Sequence, residues 1–304
     1  MLAASWLMIL TGCQKEATMD TQSEDFVSVQ VATALPAEFT RTPGDGTQVN
    51  RAVLQAYKVT EGTAVKYGTL KYASVNEMTA TFNLRLPKDQ DFKFVVWADN
   101  VVDAASAIQT DKHYSLSNGL DAITLAGNYV GNDETRDAFY GGGTVDTSSD
   151  NPSATISLYR PFAQLNIFAT DYATASPQPV KVKISSTATN LVTGFNAETG
   201  ALASATSQFS YESAILTGGE EGQMTLDYLF APADEKELLT FKIEFLGDDN
   251  SVIASRELSN IPIQKNYRTN VKGSFFTGTT TDIDVDIEAT INPGFEGPDK
   301  EVTE

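Results

Sequence analysis

The chain of 304 residues has one cysteine, one histidine and only 21 basic side chains against 40 acidic ones. Each shortage excludes something. A single cysteine has no partner for an internal disulfide and cannot build a thiolate cage for zinc, and a single histidine rules out multi-histidine metal sites. A formal charge of −19, with no Lys/Arg cluster to offset it, repels phosphate backbones, so nucleic acid is not a partner. There is no Gly-x-Ser-x-Gly elbow and no spaced His/Glu cluster, and His113 stands among polar residues without a partner constellation. Carboxylate pairs of the glycosidase type are recognised by geometry, and nothing in the sequence supports one. No catalytic residue, metal or cofactor is expected, and the chain reads as a non-enzyme. Long apolar runs are also missing, since Leu2 to Leu10 falls well short of the ~20 residues of a membrane-spanning helix. What remains is ample core material: 41% hydrophobic and 10% aromatic residues exclude wholesale disorder, and the length suits two domains.

The short apolar run fits the h-region of an export signal. Leu10-Thr11-Gly12-Cys13 closes it. This tetrapeptide looks like a bacterial lipobox, in which small residues precede a cysteine that is diacylated and becomes the mature N-terminus. Cys13 is the only side chain able to carry a thioether-linked lipid. No Lys or Arg precedes the run, so translation is expected to start upstream of Met1. Gln14-Lys15-Glu16 then opens a polar tether to Asp25 with nothing to bury. The lack of Asp directly after Cys13 points to the outer membrane. Gln-Lys-Glu resembles the short charged signal that carries some lipoproteins to the outer face of that membrane. The expected organisation is a signal over 1–12, a tether over 13–25, one domain over 26–152 and a second over 153–304.

Beyond the tether, period-two alternation dominates and no long helix is predicted. Val27, Val29 and Val31, following Phe26, alternate with polar or small residues; Val53 to Val59 runs to a turn at Glu61-Gly62, and Met78 to Leu86 alternates as far as Pro87. Phe92 to Trp97 reads as a doubly buried strand, with Phe94 and Val96 on one face and Val95 and Trp97 on the other. Val101 to Ile108 suggests a short helix, Tyr140 to Thr144 an inter-strand loop, and Asp146 to Pro152 a linker. Ala154 to Thr170 reads as one long strand-like segment, and Gly247 to Asn250 as a hairpin turn. Near the end, Ile283, Val285, Ile287 and Ile291 interleave with Asp284, Asp286 and Glu288, giving one apolar and one acidic face. Asp282, Asp284 and Asp286 lie on a straight strand without the turn a calcium loop needs, so a solvated face is expected. About a dozen strands with turns between them predict an all-β chain of two antiparallel β-sandwiches in tandem.

Two stretches, Tyr159-Arg160-Pro161-Phe162-Ala163-Gln164-Leu165-Asn166 and Ile261-Pro262-Ile263-Gln264-Lys265-Asn266-Tyr267-Arg268-Thr269-Asn270, resemble the fimbrillin-like lipoproteins, the type V pilins and their Mfa-like relatives. Asp137-Ala138-Phe139-Tyr140 and Asn292-Pro293-Gly294-Phe295 extend the likeness over most of the mature chain. The resemblance implies transthyretin-like sandwich domains and a pilus or adhesin subunit, or its anchor, held in the outer membrane by lipid on Cys13. It also implies assembly with other pilin subunits by β-strand donation, after a protease cuts at an arginine near the N-terminus. Arg41 is the first candidate for the cut and Arg51 the second. Phe26 to Val31 is the candidate displaced strand, and Ile283 to Ile291 a candidate donor. A glycan-binding outer-membrane lipoprotein is the alternative.

Overall fold

Among the described residues, the alternating stretches Phe26–Ala34 and Thr79–Pro87 become strands. The computed structural model describes residues 25–35, 45–106, 109–186, 192–205, 209–232, 237–277, 288–293 and 300–301. Among them the only helices are two single 3-10 turns, Glu134–Arg136 and Tyr172–Thr174. The strands are β1 (Phe26–Ala34), β2 (Arg51–Thr60), β3 (Thr63–Ser74), β4 (Thr79–Pro87), β5 (Asp91–Asp99), β6 (Tyr114–Ser115), β7 (Ile123–Leu125) and β8 (Phe139–Asp146). Next come β9 (Ser153–Ser157), β10 (Phe162–Ala169), β11 (Lys181–Ser186), β12 (Val192–Asn196), β13 (Ala201–Ala205), β14 (Phe209–Ala214) and β15 (Asp227–Phe230). The last are β16 (Glu237–Leu246), β17 (Val252–Ile263), β18 (Tyr267–Gly273), β19 (Glu288–Pro293) and β20 (Lys300–Glu301).

Sheet β4-β1-β9 packs on sheet β3-β2-β5-β8 through Val29, Val31, Phe82, Leu54, Phe94 and Ile156. Sheet β14-β11-β16-β17 packs on β15-β10-β18-β19-β20 through Ile184, Ile243, Phe245, Leu165, Ile167 and Val271. A third core holds Val53, Val95, Trp97 and Tyr114 together with Phe162, Phe195 and Phe230. The period-two split of β5 is therefore as the sequence predicts. Its even residues fill the first core and its odd residues the third, and Trp97, fully buried and 5.3 Å edge-on to Tyr114, is not an open sugar platform.

The third core and the small sheet β13-β12-β7-β6 draw on both halves of the chain. The expected division at 152/153 needs correction. β9 lies beyond it yet pairs in parallel with β1, Gln30 opposite Ser153 and Ala34 opposite Ser157. The stretch from Asp146 to Pro152 is thus a turn between β8 and β9 within the first sandwich, not a linker. The segment from Ala154 to Thr170 is two strands, because Arg160-Pro161 leaves sheet geometry between them. Residues 102–106 form turns instead of a helix.

Tyr140-Gly141-Gly142-Gly143 is not a loop but part of β8, antiparallel to β5. Here glycine serves close approach: a Cβ on Gly141 would lie 2.5 Å from the Ser157 carbonyl, so only glycine lets β9 cross this strand.

The stretches that carry the family resemblance meet in space. Arg160 donates from Nε to Asp137 Oδ1 at 2.7 Å and from Nη2 to Oδ2 at 2.6 Å, with its guanidinium 4.6 Å above the Phe139 ring. Both partners are essentially inaccessible to water. Lys265 donates to the Tyr140 hydroxyl at 2.6 Å. β10 and β18 run in parallel, and Asn166 donates to Asn270 Oδ1 at 2.9 Å. The motif residues hold the two halves of the chain in register.

A buried carboxylate makes this fold pH-sensitive. Asp227 opens β15 with its Oδ1 in the space a Cβ on Gly131 would occupy, 1.9 Å away. Burial pushes its carboxyl up to about 7, against hydrogen bonds to Tyr211 and Thr225 and the charge of Arg136. An unfolded Asp titrates near ~4. Between the two values the native state keeps a proton that the unfolded chain has lost, so stability falls as pH rises through that window. Asp227→Asn is expected to remove this loss. Denaturant midpoints at pH 5 and pH 8 check it: the variant should gain on the parent at the higher pH, and an unchanged difference contradicts the assignment.

Candidate functional site: the first strand and its groove

The first strand is an interior strand. β1 pairs antiparallel with β4 along its whole length, from Phe26 opposite Pro87 to Ala34 opposite Thr79, and β9 covers its other edge from Gln30 to Ala34. Its alternation is the reason it sits there: Val29, Val31 and Thr33 point into the core and are at most 1% exposed, while Ser28 and Gln30 face out. Val27 is half-buried, and Phe26, at the exposed end, lies 4.9 Å beneath the Arg85 guanidinium. Thr33 Oγ1 donates to the Ala80 carbonyl, and the amide of Leu158 donates to the carbonyl of Ala34.

Removing β1 would open a groove floored by Phe82, Leu84, Ile156 and Phe94 and flanked by two strand edges with unpaired N–H and C=O groups. Such a slot accepts only another strand with the same alternation. Main-chain hydrogen bonds supply affinity, and pockets at alternate positions set the register.

The other sequence-level candidates fall in different places. Arg41 and Cys13 lie outside the described residues, as do Ile283, Val285 and Ile287. Ile291 is in β19, opposite Thr269 of β18 and Lys300 of β20. Where the chain leaves β18 towards that region, the Asp171 carboxylate accepts the amides of Phe275, Phe276 and Thr277 at 2.6–2.8 Å. Arg51 is corrected as a cleavage candidate. It is 1% exposed in β2, donates to Asp99 from Nε and Nη2 at 2.8 and 2.7 Å, and donates to Asp111 from Nη1 at 2.9 Å. A protease needs its arginine in an accessible extended loop, and this one is a structural pin.

His113 does have partners. It is buried, with Nε2 2.7 Å from Thr135 Oγ1 and 3.4 Å from Asp133. Burial and the charge of Arg136 push its pKa down to about 4, against the pull of Asp133, so the ring is neutral at pH 7. No group of three or more His, Cys, Asp or Glu among the described residues is arranged to hold a metal ion. No helix among them is long and apolar enough to cross a membrane.

The architecture defines an all-β protein of packed sandwiches whose first strand is interior to its sheet. The chain belongs to the family described as "Family of unknown function (DUF6562)", which matches residues 19–304. No curated protein matches it. Among solved structures, a candidate cell adhesion protein from Bacteroides ovatus is 13% identical with a TM-score of 0.53, over 90% of this chain and 100% of that one. A candidate polysaccharide-binding protein (DUF1812) from Bacteroides thetaiotaomicron is 12% identical with a TM-score of 0.50, over 91% and 99%. The fimbrial anchor protein Mfa2 from Porphyromonas gingivalis is 12% identical with a TM-score of 0.48, over 87% and 97%. At these identities the likeness to the first two is one of fold alone.

Proposed function

We propose that the protein is a non-enzymatic surface lipoprotein of the fimbrial-adhesin kind, anchored to the outer membrane through Cys13 and able to join other subunits by losing its first strand and taking a donor strand of another subunit into the vacated groove. The observation that carries this reading is the interior position of β1 between β4 and β9, immediately before the sequence segment that contains Arg41. A cut after Arg41 leaves β1 held only by non-covalent contacts. Cys13 and β1 would then share one fragment, so departure of β1 after the cut frees the body from its acyl anchor and opens the groove. The fold shared with a candidate cell adhesion protein supports the assignment.

Treatment of the purified protein with an arginine-specific protease tests it. The expected result is one cut near Arg41 followed by SDS-resistant ladders, with both lost in Arg41→Ala. Cleaved protein that stays monomeric would overturn strand exchange. Cys13→Ala is expected to release the protein from membranes, and continued membrane association would overturn lipid anchoring.

A further inference from the structure

Outside the β1 groove, a cleft of about 690 Å³ opens beside β3, which among the described residues is the edge strand of its sheet. Its size suits a small ligand. Tyr72 stands on the rim with 52% of its surface exposed, and Asp111, Gln109 and Ser117 line the cleft across from it. Arg51 forms part of the lining and orients the carboxylate: Asp111 Oδ1 accepts from Arg51 Nη1 at 2.9 Å, and Oδ2 accepts from the Leu116 amide at 3.1 Å. The Asp111 side chain remains 30% exposed, with lone pairs to spare on each oxygen. Gln109 donates from Nε2 to the Ala104 carbonyl at 2.9 Å, and its Oε1 is buried with no hydrogen-bond partner among the described residues.

We propose that this cleft binds a neutral saccharide. The part-exposed Asp111 carboxylate and the Ser117 hydroxyl call for a ligand rich in hydroxyl donors. Arg51 is shared by Asp99 and Asp111, so these three groups sum to one negative charge, and phosphates, uronic acids and sialic acids are repelled. The exposed phenol ring of Tyr72 offers a flat apolar surface to the C–H face of a pyranose. Asp111 accepts one sugar hydroxyl on each oxygen, and the Ser117 hydroxyl either donates or accepts. A purely apolar ligand would leave these acceptors unpaired.

The test uses the full chain with Cys13→Ala to prevent acylation and no protease, so its outcome is independent of strand exchange. Saturation-transfer NMR is recorded with the methyl glycosides of glucose, galactose, mannose and N-acetylglucosamine, and with N-acetylneuraminic acid as the acidic probe. At least one neutral glycoside is expected to receive saturation, with little transfer to the acidic probe. Tyr72→Ala, on an exposed edge strand, is expected to weaken binding about tenfold or more without moving the denaturation midpoint. Asp111→Asn, which retains the acceptor facing Arg51, is expected to weaken it as well. Absence of transfer to all four glycosides, preference for the acidic probe, or unchanged affinity in Tyr72→Ala would each overturn the proposal.

Discussion

Replacing Arg160 by alanine is expected to destabilise the native protein by about 3–5 kcal/mol, the range for breaking one side of a buried ion pair. Asp137 would be left 1% exposed with no cation against it, and burial already raises its pKa despite the arginine. The guanidinium also covers the Phe139 ring, so packing is lost along with charge. Chemical denaturation checks this directly. A loss of only about 1 kcal/mol, the scale of an exposed pair, would mean that the Arg160–Asp137 clasp is solvated in solution. Because the clasp joins the residues just before β8 to those just before β10, the same change should also raise proteolytic sensitivity around β9.

Val31→Asp is expected to cost more than about 4 kcal/mol, whereas Gln30→Asp, one residue away, should fall within about 0.5 kcal/mol of the parent. Val31 is fully buried in the first core, and its replacement removes an apolar contact and places a carboxylate there without a partner. Gln30 faces solvent on the same strand. The contrast between adjacent positions reports the facing of β1 and its presence in the groove, because a dissociated strand would tolerate both. Equal effects would contradict the register given above.

How much of this was legible in the sequence differs by element. β1 and β4 alternate cleanly and β5 is a near-continuous apolar run, so their existence, and the two faces of β5, follow from the local pattern alone. The β2–β3 and β16–β17 turns follow from Glu61-Gly62 and Gly247 to Asn250. The glycine run of β8 misleads because glycine lowers strand propensity, while its cause is long-range: β9 crossing over Gly141. That β9 belongs with β1 is likewise a non-local parallel pairing, for which adjacent residues carry no signal. Arg51 looked like a surface arginine because its acceptors, Asp99 and Asp111, lie 48 and 60 positions away. The cleft beside Tyr72 left no trace in spacing, since it forms where β3 meets turns from a later segment.

The central claim is that β1 leaves its groove and a strand of another subunit replaces it, and a reversible lock on β1 tests it most directly. Gln30 and Asn83 lie opposite one another on β1 and β4, and both face solvent. Opposed positions in an antiparallel pair bring Cβ atoms to about 4.5–5.5 Å, close enough for a disulfide after slight adjustment. With Cys13 replaced by serine, Gln30→Cys/Asn83→Cys leaves only the engineered pair able to bridge. After cleavage near Arg41, the oxidised protein is expected to remain monomeric on SDS gels, and adding dithiothreitol should restore the ladders. Ladders from the oxidised protein, or none after reduction when the parent forms them, would contradict the displacement of β1.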